Sequence, residues 1–216
     1  TVEALTCSRR LSTRIVDRDG TRVTEVGEWG RFQRAPLAPL FAWYLRRIRA
    51  DVYLVHVPNP TAEMAWLMSR PQGRLVVRYH SDVVRQASAM RYYKPWLMKF
   101  LRQADIILPT SEQYVATSPV LQDVRDRCHV VPLGIESAAF QQPNLRRVAE
   151  LQAQYGGPYV LFSGVHRYYK GLKYLIQAAS SIQAPVVLAG TGPEWAANKS
   201  LADSLGMEVH FPGALT

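Results

Sequence analysis

At 216 residues, with 48% hydrophobic and 20% charged side chains, the chain can bury a real core in one large domain or two smaller ones, which excludes a disordered segment. Lys and Arg number 26 against 17 Asp and Glu, and the resulting charge of +9 favours anionic partners such as nucleoside diphosphates, lipid headgroups or nucleic acid. The basic residues are scattered and follow no zinc-finger, helix-turn-helix or RNP-like pattern, so no nucleic-acid partner is expected.

Apolar β-rich runs recur at 2–6, 23–26, 52–57, 75–79, 106–109, 129–132, 159–163, 186–189 and 209–211. Several do not alternate, as suits parallel strands covered on both faces. Asp19-Gly20, between 14–18 and 21–26, predicts a hairpin turn and so an antiparallel excursion early in the chain. A helix is expected over 37–48: Leu37, Leu40, Phe41, Tyr44, Leu45 and Ile48 form one stripe, Pro36 suits the first turn, and Arg46 and Arg47 complement the C-terminal dipole. Strand and helix then alternate, which predicts a doubly wound α/β architecture. Pro143, a capping Asn144, a polar helix over 145–154 and Gly156-Gly157-Pro158 read as a connection leading into a new strand, with a domain boundary near 138–145.

Arg, Lys, Gln or Asp breaks every apolar run within about ten positions, short of the roughly 20 residues that span a bilayer. Cys7 and Cys128 form no framework or metal-like spacing, and no signal-like segment precedes them, so a cytoplasmic setting is expected. Thr1 runs straight into a strand and Thr216 follows one, which suggests that both ends continue in a longer chain.

The most informative stretch is Tyr159-Val-Leu-Phe-Ser-Gly-Val-His-Arg-Tyr-Tyr-Lys-Gly171, followed by a helical pattern over 172–180. A buried strand stopping at Ser163-Gly164, a short loop with Arg167 and Lys170, and a helix start would set two cations beside free helix N–H groups. Arg grips two phosphate oxygens as a planar fork and Lys adds a compact charge, so the pattern suits a diphosphate. A solvated basic loop ahead of a helix fits the periodicity equally well.

This stretch resembles the donor half of the family 4 glycosyltransferases, whose GT-B fold has two Rossmann-like domains. Val186-Val-Leu-Ala-Gly-Thr-Gly-Pro-Glu194, a helix over 195–205 and Val209-His-Phe-Pro-Gly-Ala-Leu215 are similar to that family's next strand, Gly-x-Gly-Pro turn, helix and Phe-x-Gly strand end. Leu75-Val-Val-Arg-Tyr-His-Ser-Asp82, Ala104-Asp-Ile-Ile-Leu-Pro-Thr-Ser111 and Val130-Val-Pro-Leu-Gly-Ile135 resemble its acceptor domain in order and spacing. Each motif alone is weak, and their joint order carries the likeness over roughly 72–140 and 158–215. Many members place Arg directly after the glycine, where this chain has Val165, so the phosphate role passes to Arg167.

The resemblance implies an acceptor-side domain over 1–140 without its first strand and loop, and the start of a nucleotide-sugar domain over 141–216. It further implies a retaining hexosyltransferase, with Arg167 and Lys170 stabilising the departing diphosphate and His80, at the interdomain cleft, positioning the sugar. Gly164, Gly171, Gly190, Gly192 and Leu215 would surround the nucleotide, the last three allowing close backbone approach to the nucleoside. Asp82 would orient His80 or contact the acceptor, and an N-cap role suits it as well. Neither a metal ion nor another cofactor is expected: the two cations take the ion's charge-neutralising part, and His56, His129, His166 and His210 lack ligand spacing. Ser111 reads as a helix cap.

His-Ser-Asp, Tyr-Tyr-Lys-Pro and Arg-Tyr-Tyr-Lys-Gly together look most like bacterial enzymes that extend surface polysaccharides such as lipopolysaccharide, often from GDP-mannose, onto a glycan or polyprenyl-linked glycan. The family's Glu-x7-Glu element lies beyond Thr216, so the donor site here would be incomplete. An epimerase of the same fold and a non-catalytic nucleotide- or glycan-binding module are the competing readings. An epimerase needs carboxylates, and only Asp82 and Glu194 lie near the proposed site.

The stretch 91–102 interleaves Arg91, Lys94, Lys99 and Arg102 with Tyr92, Tyr93, Trp96 and Phe100. It reads either as an interfacial helix at a membrane surface or as a helix that packs through Leu97, Phe100 and Leu101 while its cations are solvated. A peripheral contact with the inner face of the plasma membrane belongs to the first reading.

Overall fold

The computed structural model describes residues 1–32, 35–82 and 87–214, and the chain divides into the compact units Thr1–Gly134 and Ile135–Thr216. The division falls slightly before the expected boundary.

In the first unit, β1 (Glu3–Ser8) lies parallel to β3 (Thr21–Gly27), and β2 (Arg14–Arg18) pairs antiparallel on its other edge. The expected hairpin turn is present. Asp19 (φ 53°) and Gly20 (φ 77°) are both left-handed, as a two-residue loop between twisted strands requires, and Gly20 N–H donates to Asp17 Oδ1 at 2.9 Å.

The helix expected over 37–48 is shorter, because residues 35–37 form a strand in an antiparallel pair. β4 (Gly30–Phe32) pairs with β5 (Ala35–Leu37), and the helix α1 covers only Phe41–Arg47. Pro36 and Pro39 explain the difference. Each pushes its predecessor, Ala35 or Ala38, out of the helical region, and a two-stranded edge tolerates the missing N–H of Pro36. Phe41 and Leu45 remain core residues, whereas Leu37 and Leu40 are exposed.

A parallel sheet follows in the order β6 (Val52–Val57), β7 (Arg74–Tyr79), β8 (Ile106–Leu108), with α2 (Pro60–Ser69) and α3 (Ala87–Leu101) as its connections. Asn59 caps α2 by accepting from Ala62 N–H, and Pro60 occupies the first turn. Ala65 and Trp66 of α2, Leu97, Phe100 and Leu101 of α3, and Leu75, Val77 and Ile107 of the strands share one core. Glu63 is buried among them. Its Oε1 accepts from Asn59 N–H at 2.7 Å and its Oε2 from Tyr93 O–H at 2.6 Å, which ties α2 to α3, and burial pushes its carboxyl above the usual range.

Beyond β8, Ser111 caps α4 (Glu112–Thr117) as expected, accepting from Tyr114 N–H at 3.1 Å, and α5 (Pro119–Gln122) follows. The run expected as a strand at 129–132 only borders β8. His129 N–H donates to Ile107 O at 2.8 Å and Val131 N–H to Pro109 O at 3.0 Å, but Pro109 has no N–H to extend the ladder.

The second unit starts with α6 (Leu145–Gln154), capped by Asn144 as its sequence predicts. It then builds the parallel sheet β11 (Val209–Gly213), β10 (Val186–Ala189), β9 (Val160–Ser163), with α7 (Leu172–Ala178) and α8 (Trp195–Ser204) as crossovers. All four residues of the central β10 are buried, as its unbroken apolar run predicts. Leu172, Ile176, Val186, Leu188 and Ala202 form the core.

Candidate functional site

Parallel α/β sheets present their loops at the carboxyl ends of the strands, where ligands bind. In the second unit β9 and β10 end in register, Ser163 beside Ala189, and the loops leaving them stay paired. Gly164 N–H donates to Ala189 O at 3.1 Å, His166 N–H to Thr191 O at 3.0 Å and Glu194 N–H to His166 O at 3.1 Å. Gly190 N–H donates to Gly213 O at 2.6 Å, which joins the end of β11 to the same assembly.

The glycines make this pairing possible. A Cβ on Gly190 (φ 116°) would lie 2.0 Å from Gly164 O, and one on Gly192 (φ 156°) 2.6 Å from His166 O. At these two positions the family resemblance implies close approach by a nucleoside. The approach they permit in the structure is that of one loop to the other, because a side chain at either would collide with the neighbouring backbone. Leu215, the third position of that reading, lies outside the described residues.

His166, set aside in the sequence for want of ligand spacing, anchors the loop. Its ring is fully buried, with the Phe162 and Phe211 rings 5.9 and 6.3 Å away between centroids. Burial lowers its pKa most, and the Leu188 and Ala189 carbonyls act in the opposite sense. Standing one residue ahead of Arg167, the buried ring fixes where the loop emerges, and nothing local in the sequence marks it as buried.

The next four residues are exposed. Tyr168–Lys170 form a single 3-10 turn closed by Lys170 N–H donating to Arg167 O at 2.9 Å. Gly171, left-handed at φ 67°, then redirects the chain into α7. Arg167 and Lys170 thus stand three residues apart on one tight turn beside the start of α7. Among the described residues neither forms an ion pair, and the Lys170 Nζ lies 5.7 Å from the Tyr169 ring centroid. Gly164 and Gly171 bracket the turn, and Gly190 and Gly192 fix the loop it leans on. That arrangement offers two cations without an ion-pair partner among the described residues, on an anchored support suited to an anion with several oxygens.

In the first unit His80 follows the last residue of β7, and its N–H donates to Val57 O at 2.9 Å. Its imidazole meets His56 of β6: Nε2 of His80 is 2.7 Å from Nδ1 of His56, and the ring planes are within 16°. Burial above all, then His56 and Arg78, pulls the His80 pKa below the ordinary imidazole value, so the ring is neutral at neutral pH. Asp82 has other partners than the orienting role imagined for it. Its Oδ1 accepts from Tyr79 O–H at 2.7 Å and from Ser118 O–H at 2.9 Å, while the group that meets the His80 ring is His56. Among the described residues no cluster of three His, Cys, Asp or Glu side chains is placed to hold a metal ion.

The helix α3 satisfies the packing reading of 91–102 on one face, where Leu97, Met98, Phe100 and Leu101 are buried. Its other face carries Tyr92 and Trp96, 77% and 49% exposed, and Lys99, with Arg102 directly after its last residue. No described helix is long and apolar enough to cross a membrane.

Residues 1–134 match the family described as Glycosyl transferase 4-like domain. This chain belongs to that glycosyltransferase family. The O-antigen chain mannosyltransferase C of Escherichia coli is 39% identical over 166 residues, 76% of this chain and 44% of that protein. The D-rhamnosyltransferase WbpZ of Pseudomonas aeruginosa is 35% identical over 165 residues, 76% of this chain and 43% of that protein. The chain therefore spans less than half the length of these two relatives. Among solved structures, sucrose-phosphate synthase from Thermosynechococcus elongatus superposes with a TM-score of 0.73 at 18% identity, over 99% of this chain and 60% of that one. HepE of Anabaena, solved in complex with UDP, superposes with a TM-score of 0.65 at 16% identity, over 90% and 56%. The fold of the glycosyltransferase is accordingly α/β with parallel sheets, of the GT-B kind.

Proposed function

We propose that the full-length glycosyltransferase moves a hexose from a nucleoside diphosphate sugar to a hydroxyl of a glycan or polyprenyl-linked glycan during bacterial surface-polysaccharide synthesis, with the anomeric configuration retained. The observation that carries this reading is the anchored turn holding Arg167 and Lys170 without a carboxylate partner among the described residues. Negative charge gathers on the diphosphate as the glycosidic bond breaks. Two fixed cations lower the energy of that state more than of the bound donor, which is what accelerates the step. They also supply the charge compensation for which other enzymes use a divalent ion. His80 hydrogen-bonds the sugar as a neutral imidazole, and the incoming hydroxyl attacks from the leaving-group side.

One of the two relatives is named a mannosyltransferase and the other a D-rhamnosyltransferase, which supports a mannosyl donor, and GDP-mannose is the proposed donor. A competition assay offering GDP-mannose, UDP-glucose and ADP-glucose to the full-length protein tests this. Transfer from GDP-mannose with a retained anomeric centre is expected. Turnover of UDP-glucose alone overturns the donor assignment, and an epimerised donor formed without acceptor overturns glycosyl transfer itself.

A polyprenyl-linked acceptor sits in a membrane, and the outer face of α3 suits the same surface. Tyr92 and Trp96 match the headgroup layer, and Lys99 and Arg102 match anionic lipid. Each cation near such a surface contributes about 1 kcal/mol. Reversing the charge of Lys99 and Arg102 together is expected to weaken binding to vesicles containing anionic phospholipid by about tenfold or more, measured by co-sedimentation. Lys94 is left intact because it pairs with Asp123 at 3.7 Å. Unchanged sedimentation removes the membrane contact.

A further inference from the structure

We propose that His56 is a positioning residue that fixes the tautomer and orientation of His80, an inference that rests on the sugar-binding role given to His80 above. Both residues sit at the carboxyl edge of one parallel sheet, His56 as the penultimate residue of β6 and His80 directly after β7. The His80 N–H to Val57 O bond carries the β6–β7 pairing one residue past the end of β7, so the two side chains leave adjacent strands side by side.

Their nitrogens, His56 Nδ1 and His80 Nε2, are 2.7 Å apart. Two neutral imidazoles at that distance share one proton: one ring presents an N–H and the other a lone pair. The contact occupies Nε2 of His80 and leaves Nδ1 as the nitrogen that meets substrate. An isolated, exposed imidazole would exchange tautomers and rotate its ring. One held by a second ring keeps its orientation, and its tautomer is tied to that of the partner, since the proton shared between Nδ1 of His56 and Nε2 of His80 decides which nitrogen of each ring is left protonated. A fixed orientation is the condition for a directional hydrogen bond to a sugar hydroxyl.

The surroundings favour a neutral His80. Arg78, two residues earlier on β7 and donor from Nη1 to Val131 O at 2.7 Å, places a fixed positive charge near that ring, so a further proton on His80 meets repulsion. The 2.7 Å separation also argues against a metal ion shared between these nitrogens, since two ligand nitrogens each about 2.0–2.1 Å from one tetrahedral ion stand further apart than that. The direct ring-to-ring hydrogen bond is the arrangement that fits.

The test is long-range proton–nitrogen correlation on histidine-labelled full-length protein, paired with steady-state transfer assays on His56→Phe, His56→Asn and His80→Ala. In the unaltered protein His80 is expected to show one tautomer. In His56→Phe it is expected to show a mixture, with kcat lowered by about tenfold and KM for the donor nearly unchanged. Asparagine carries an amide close to the place of Nδ1, so His56→Asn is expected to retain the single tautomer and most of the turnover. An unchanged His80 tautomer, or an unchanged kcat, in His56→Phe overturns the proposal. Loss of turnover in His80→Ala with none in His56→Phe places the failure on His56, whereas full turnover in His80→Ala places it on the sugar-binding role of His80.

Discussion

Replacing Lys170 with alanine in the full-length protein lowers the rate of sugar transfer by about 10²-fold or more, equivalent to about 2.7 kcal/mol of transition-state stabilisation. The effect is expected to be large because the proposed role places Lys170 where charge develops. It closes a single 3-10 turn through its own N–H to Arg167 O, and Gly171 ends that turn at once in a left-handed conformation. No ion pair among the described residues diverts its ammonium. Stability should hardly change, since the side chain is exposed and forms no ion pair among the described residues. Steady-state kinetics beside thermal unfolding separates the two effects. A Lys170→Ala protein that turns over normally removes the diphosphate role.

Alanine at Gly190 is expected to destabilise the second unit by about 3 kcal/mol or more and to abolish nucleotide binding with it. Its Cβ would lie 2.0 Å from Gly164 O, a backbone atom held by the pairing of Gly164 N–H with Ala189 O, so no flexible side chain can yield. The backbone at φ 116° adds strain for any residue with a side chain. Alanine at Gly206 is the control. That position is also left-handed, at φ 61°, but open space surrounds its Cβ, and the expected cost is about 1 kcal/mol. Chemical denaturation of both variants decides, and equal losses would mean that the loop pairing contributes nothing specific.

Much of this was legible in the chain. The unbroken apolar run of β10, the Asp19-Gly20 turn, the Asn144 cap and the strand–loop–helix around Lys170 each announce themselves locally, because backbone propensity and burial act over a few residues. The contacts that organise the candidate site are of another kind. At Gly190 and Gly192 the sequence suggests close approach by a nucleoside, whereas the backbone that meets them in the structure is a loop some 26 positions earlier in the chain, which register between parallel strands decides. The pairing of His56 with His80 spans 24 residues, and no periodicity brings them together. The buried ring of His166 could not be told from an exposed one without knowing which face of the loop meets Phe162 and Phe211. The helix expected from Leu37 failed for a local reason, since Pro36 and Pro39 flank its first residues and outweigh the apolar stripe.

The central claim is that the turn at Arg167 and Lys170 grips a diphosphate, and calorimetric titration of the full-length protein with GDP and with GMP tests it most directly. GDP is expected to bind at least about tenfold more tightly than GMP, and an Arg167→Ala/Lys170→Ala variant to lose that preference while still binding GMP. Equal affinity for the two nucleotides, or a preference that survives in the double variant, would contradict the account.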